Sequence, residues 1–522
     1  SEYIFMIINL SYNTLPGQNK YFLNYISGRP EALNFFSYIP GDFEKILRVK
    51  NNIYQRDKLS KIILDYNQFL QAPKEAKENA ELLSRENVFT VITGQQAGFI
   101  GGPVYTAYKI ATVINITKKL SKEFQDYFFV PVFWLASEDH DFEEINYVNY
   151  IQSDGEVGKI KFNWKDKGRS IYSLPITEEI TSAIDTYLTK LPSSEYKESI
   201  SRLLYDFPDE NYSSWIAKFW SNLFGKYGLL IIEPQLLRPL AGEIFTQILR
   251  HIPELNNILE DTNNKLLKSG YSPAISSNNL NLFTYDENLH RIKIQNPKNY
   301  IKTAENNPEQ FSPDVLLRPV VADYILPNAV SAVGSSELFY QAQLKNIYEY
   351  FSISQPLLIP RQSYTFTFKK ELDIMQKYKI NPEDIFTKNL EDFFERLSPK
   401  EERKLFSEAK EKISMEIEKL SNHLHKIDPN LVKTNEQTLN LTLNTLKKLE
   451  DKTIKAIMSK KGYSRKHLRD LKNSLLPFGK LQERIFPLPC FLNYYGIDEF
   501  IETLLNNSNF MNFSHYFIMK TE

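Results

Sequence analysis

The sequence holds one cysteine, Cys490, in 522 residues. A single thiol closes no internal disulfide and builds no cysteine-cluster metal site, so the chain fits a reducing cytoplasm. No apolar run approaches the roughly 20 residues needed to cross a bilayer, and no membrane association is expected. The opening stretch SEYIFMIINLSYN is apolar but lacks a basic lead and a small-residue cleavage pattern, so no signal peptide is read in it. Net charge is nearly absent: 63 Lys+Arg against 64 Asp+Glu leave −1. No basic field draws nucleic acid, and no acidic excess marks a disordered chain.

What is present is a globular balance, 42% hydrophobic and 24% charged, over a length that one core rarely serves. The organising stretch is 90–146. Two apolar strand-like runs, 88–93 and 128–136, flank a glycine-rich loop and an amphipathic helix, a strand–helix–strand order that implies a βαβ unit. Both strand ends then lie at one sheet edge, so the loop after the first and the acid/His cluster after the second are expected to face one crevice. Further short runs at 228–235, 329–334 and 356–361 complete about five strands of a parallel sheet.

Residues 1–86 read as mostly helical, with helical spacing in 42–49 and 59–69 and a helical composition in 72–85. Insertions are expected at about 147–225, with a strand-like piece at 170–175, and at about 240–311. The latter holds helices at 240–252 and 254–269 and a hairpin turning at Asp286. A further helix is expected over 335–351. The Rossmann-like core thus runs over 1–370. Residues 371–476 form a helical arm, in which Leu405, Ala409, Ile413, Ile417, Leu420, Leu424 and Ile427 recur at steps of three and four. A turn at Asp428, Pro429 and Asn430 folds it into an antiparallel hairpin too narrow to cover its own stripe. The aromatic tail 477–522 is expected to pack back on the core.

Three sets of residues carry chemistry. Gly94, Gly98, Gly101 and Gly102 allow sharp turns and close approach to a ligand, and the helix that follows favours an anion at its start. Tyr105 and Lys109 lie four apart on that helix and share a face. The loop is neither G-x-G-x-x-G nor G-x-x-x-x-G-K-[ST], and a plain tight connection is the competing reading. The second set is Glu138, Asp139, His140, Asp141, Glu143, Glu144 and Asn146. So dense a group at a strand end suits acid/base work, an amine or a divalent cation. Helix capping competes, chiefly for Glu143 and Glu144. With no second histidine nearby, zinc is a poor fit. The third set, around 318–364, includes Arg318, Glu337 and Arg361, arginines suited to gripping carboxylate or phosphate. The basic run 452–472 reads as a solvated helix face, and Cys490, in the apolar PLPCFLNYYG, as a structural cysteine.

TGQQAGFIGGPVYTAYK (93–109), VPVFWLASEDHDFEEIN (130–146), LLRPVVADYILP (316–327) and PRQSYTF (360–366) together resemble the bacillithiol biosynthesis cysteine-adding family, BshC. The resemblance spans nearly the whole chain, including the late hairpin and FPLPCFLNYYG. One departure is Gly334, Ser335, Ser336 and Glu337, where a glycine–proline–glycine-like loop is expected before the acid. The resemblance implies a Rossmann-like core and a coiled-coil hairpin used for homodimerisation. It implies addition of L-cysteine to glucosaminyl-malate, with ATP activating the cysteine carboxylate by analogy with class I tRNA ligases. Gly94, Gly98, Gly101 and Gly102 would then hold nucleotide phosphate. Glu138, Asp139, His140, Asp141 and Lys109 would be catalytic, and Gln95, Gln96, Tyr105, Asn146, Arg318, Glu337 and Arg361 would bind substrate. The paired histidines of those ligases are absent; Tyr105 and Tyr108 stand at that helix, and no cysteines offer a thiol-reading zinc. Two other classes stay open: a nucleotide-binding scaffold without turnover, and a metal-dependent hydrolase built on residues 138–141.

Overall fold

The computed structural model describes residues 4–49, 54–152, 154–165, 168–276, 279–506 and 509–521. They form two units, one of Ser1–Phe366 with Pro477–Glu522, the other of Thr367–Leu476.

The first unit is built on five strands: β1 (Val88–Gln95), β2 (Phe128–Leu135), β3 (Leu230–Ile232), β4 (Asn328–Val333) and β5 (Leu357–Pro360). Their order is β5-β4-β1-β2-β3, and each adjacent pair is parallel. Helices cover such a sheet on both faces, which is why these strands are short unbroken runs of Val, Ile, Leu and Phe rather than alternating patterns. The expected α/β core with a parallel sheet is therefore found. Chain order reverses between β1 and β4, and at such a switch point the strand ends part and leave a crevice. Two helices begin at it, α1 (Tyr105–Glu123) after β1 and α3 (Ser335–Gln341) after β4, while α2 (Leu317–Ile325) leads into β4.

The N-terminal layer differs from expectation at its start. Ile4–Leu10 is a strand, paired antiparallel with His515–Thr521, in a three-stranded sheet completed by Ser363–Thr367. Its partner lies some five hundred positions away, beyond any local pattern. The helices Phe43–Val49, Arg56–Phe69 and Lys74–Leu82 follow. Gly242–Lys268 is one helix where two were read: Pro253 is accommodated by a kink at His251 (φ −119°, ψ 18°) rather than by a break. The stretch around 170 is a short turn, Ile171–Ser173, not a strand, and 335–351 splits into Ser335–Gln341 and Lys345–Tyr350.

The second unit carries two long helices, α4 (Lys400–Ile427) and α5 (Asn430–Lys460), antiparallel about the expected turn. Asn435 is buried in the seam and donates to Ile417 O (2.8 Å) and Ser421 Oγ (2.9 Å); Lys410 pairs with Glu450. Polar groups matched across an apolar seam favour one register over its slips.

Candidate functional site

A cavity of about 650 Å³ opens at the β1/β4 switch point. Its floor comes from the ends of those strands, Gln95 and Gln96 on one side and Ser335 and Ser336 on the other. The loop after β1 gives one wall through Gly98, Gly102 and Tyr105. Segment 143–147 gives a second through Glu143, Glu144 and Tyr147, and segment 479–485 a third through Lys480 and Arg484.

The glycines make that first wall possible. A Cβ on Gly98 would sit 2.6 Å from the Cα of Gly102. Gly101 has φ +88°, and a Cβ there would come within 2.6 Å of Phe219. Three of the loop's amides are spent on the loop itself: Gly98 N donates to Gln96 O, Gly101 N to Gly98 O and Gly102 N to Phe99 O. Before α1, Val104 N donates to Phe486 O at 2.9 Å. These donors are not turned to a ligand.

Lys109 is 2% exposed and uses its three donors inside the protein, on Gly94 O (2.7 Å), Gln95 Oε1 (3.0 Å) and Glu337 Oε1 (2.5 Å). Burial lowers its pKa, and the Glu337 carboxylate opposes that shift. Glu337 Oε2 also accepts from Gly334 N at 2.7 Å, so one lysine–glutamate pair ties α1 to the start of α3 beneath the cavity. The Tyr105 hydroxyl accepts from Gln95 Nε2 at 3.0 Å. Burial first, then Glu337, pushes its pKa up to about 12. The phenol therefore stays protonated at neutral pH and is a donor.

Residues 138–141 do not join this lining. The expectation of one shared crevice is corrected in this respect: the cluster turns toward the β3 edge, where arginines hold it. Glu138, 1% exposed, faces Arg238 at 3.2 Å and Arg318 at 3.5 Å. Asp139 faces Arg318 at 3.3 Å and Arg291 at 3.6 Å. Burial alone would raise Asp139, but His140, Arg318 and Arg291 hold its carboxyl well below the usual range. Arg238 further donates to Tyr285 Oη (2.6 Å), and Arg291 to Ser312 Oγ (3.0 Å). The cluster thus fastens the 282–293 hairpin to the end of β2. Donor atoms of Asp139, His140 and Asp141 come within 4.8 Å of one another, but the guanidiniums on Asp139 repel a cation there. Asn146 is buried behind the 143–147 wall.

Arg361 is buried too, with Nη2 2.6 Å from Glu483 Oε1. Sequence reasoning passed over Glu483, Arg238, Arg291, Lys480 and Arg484, which read as ordinary charges among many. The tight spacing of Pro477, Gly479 and Pro487 was the one available sign that the tail forms a shaped loop.

A parallel sheet with a polar cavity at its switch point, in a chain that also carries a long helical hairpin, defines a Rossmann-like protein with a coiled-coil arm. The chain belongs to the BshC family of bacillithiol biosynthesis: the family's N-terminal Rossmann-like domain matches residues 7–362 and its C-terminal coiled-coil domain matches residues 364–519. It is similar to proteins named "Putative cysteine ligase BshC" from several bacteria. That of Staphylococcus carnosus is 28% identical, covering 92% of this chain and 95% of that protein. That of Natranaerobius thermophilus is 29% identical, over 93% and 95%. That of Chloroherpeton thalassium is 30% identical, over 84% of each. No helix among the described residues is long and apolar enough to cross a membrane.

Proposed function

We propose that this protein is an amide-forming ligase that joins the carboxyl carbon of L-cysteine to the amine of glucosaminyl-malate, completing bacillithiol. The observation that carries the reading is the switch-point cavity, which sets acidic and cationic side chains on different walls, in a chain matched from residue 7 to 519 by the BshC domains. Both substrates carry amine and carboxylate groups, which such a cavity suits. Glu144, with Glu143 beside it, takes a proton from the sugar ammonium and leaves the amine free to attack. Protonated Tyr105 donates to oxygen at the carboxyl carbon as the C–N bond forms and the activating group departs.

Amide formation from a carboxylate needs that carbon activated, and ATP is the activator the class I ligase likeness implies. The amides of Gly98, Gly101 and Gly102 and the three donors of Lys109 are already engaged, so these groups do not fit a triphosphate. The loop's part is to shape the cavity. Glu138, Asp139, Arg318 and Arg361 act as positioning residues through their ion pairs. The hairpin joins a second copy through the apolar side chains that α4 and α5 leave exposed.

The test is direct. Purified protein supplied with glucosaminyl-malate, cysteine and ATP yields bacillithiol by mass spectrometry, and a strain lacking the gene accumulates glucosaminyl-malate. A deletion strain with normal bacillithiol would sink the reading.

A further inference from the structure

Two features of the cavity remain unused by that reaction, Lys480 and Arg484. They are the cationic side chains of its lining, both on segment 479–485 and both exposed to its interior space. No carboxylate pairs with either among the described residues. The Arg484 guanidinium lies 3.5 Å from Ser335 Oγ and retains most of its donors.

The backbone beneath them is held firmly. Glu483, next to Arg484, points the other way into the core, 1% exposed. There it meets Arg361 Nη2 (2.6 Å), Ser363 Oγ (2.9 Å) and Tyr364 N (3.1 Å). Gln482 exchanges hydrogen bonds with Phe366 N and O, both 2.9 Å. Arg484 N closes a tight turn onto Leu481 O at 3.0 Å. A buried ion pair with satisfied oxygens is a rigid anchor. Consecutive residues thus face opposite sides: Glu483 locks the segment, and Arg484 is presented to the cavity at little conformational cost.

Resting on the ligase reading above, we propose that Arg484 and Lys480 form a dicarboxylate clamp that binds the malyl group of glucosaminyl-malate and so sets its orientation. A guanidinium grips a carboxylate through two parallel hydrogen bonds, and an ammonium serves a second carboxylate as a point charge. The malyl group has two carboxylates; cysteine has one, which the reaction consumes. With the malyl group on the 479–485 wall, the neighbouring amine of the sugar is directed to Glu144 on the acidic wall. Specificity for the malyl substrate then resides in the C-terminal segment, not in the loop after β1.

A nucleotide phosphate shares this anionic chemistry, so the test separates the two. Full-length wild type, Arg484→Gln, Arg484→Lys and Lys480→Gln are titrated calorimetrically with glucosaminyl-malate, with methyl glucosaminide lacking the malyl group, and with ATP. Steady-state KM is measured for each substrate. Loss of a charged hydrogen bond predicts roughly tenfold or more weaker binding of glucosaminyl-malate to Arg484→Gln. A smaller loss is expected in Lys480→Gln and partial recovery in Arg484→Lys. Methyl glucosaminide and ATP affinity, the KM for cysteine and the melting temperature should not move. Equal binding of glucosaminyl-malate by wild type and Arg484→Gln overturns the clamp while leaving the ligase intact. A loss confined to ATP overturns it in favour of a phosphate site. Failure of wild type to bind glucosaminyl-malate at all removes the ligase reading and the clamp together.

Discussion

Gly101 shows how little freedom the loop after β1 has. Its φ of +88° disfavours any side chain, and Phe219 stands where a Cβ would go, 2.6 Å away. Gly41 separates the two effects: its φ is +106°, with nothing within 4 Å of a built Cβ. Backbone strain costs about 1–3 kcal/mol and overpacking a similar amount. Gly101→Ala is therefore expected to destabilise by about 3 kcal/mol or more, and Gly41→Ala by about 1 kcal/mol. Urea unfolding of the two variants beside wild type checks this. Equal midpoints would mean that Phe219 yields and the loop is softer than its packing suggests. Lys109 belongs to the same picture, since each of its donors is already answered within the protein.

Among the elements, the hairpin makes the next prediction. The sequence offered one apolar stripe, and the structure divides it. Ile413, Ile417 and Leu424 are half-buried, while Leu405 (66% exposed), Leu420 (52%) and Ile427 (64%) face outward, as do Leu441 (70%) and Leu449 (55%) on α5. A steady step of three to four tells which residues share a broad face but not where a partner helix bisects it. Burying a leucine or isoleucine is worth about 1.5–3 kcal/mol. If the hairpin joins two copies as proposed, Leu420→Glu with Ile427→Glu weakens that association at least about a hundredfold. Light scattering at micromolar concentration should show half the wild-type mass, with helix content kept. An unchanged mass would place the second copy elsewhere or nowhere.

The same contrast governs the rest of the fold. β1, β2, β4 and β5 were legible because each is a local run with a polar end, and their common edge followed from topology. Arg484 was not, because its importance comes from Glu483 being buried beneath it. Nor was the grip of Arg238 on Glu138, which depends on how an insertion returns to the sheet.

At the scale of the whole molecule, the strand Ile4–Leu10 meets His515–Thr521 beside Ser363–Thr367, and His515 sits in that junction. It is fully buried, with Nδ1 2.8 Å from Ser363 Oγ and Nε2 2.9 Å from Thr365 Oγ1. Burial pushes it down to about 4 from an ordinary 6.5. The folded protein therefore holds a neutral imidazole that the unfolded chain protonates near pH 6.5. Protons favour unfolding between those values: stability is flat above about pH 6.5, falls as pH drops toward 4, and has lost on the order of 3 kcal/mol there. Glu483 acts in a different window. Burial raises it but Arg361 outweighs that and lowers it below 4.5, so its contribution is present at neutral pH and lost only in stronger acid. Between pH 6.5 and 5 the slope comes chiefly from His515, with a share from His467, whose pKa partial burial also lowers. His515→Asn keeps hydrogen-bonding capacity toward Ser363 and Thr365 without the titration. Its melting temperature is expected to be lower than wild type at pH 7 and to change much less between pH 7 and 5. An equal slope in the two proteins would assign the acid sensitivity to other groups.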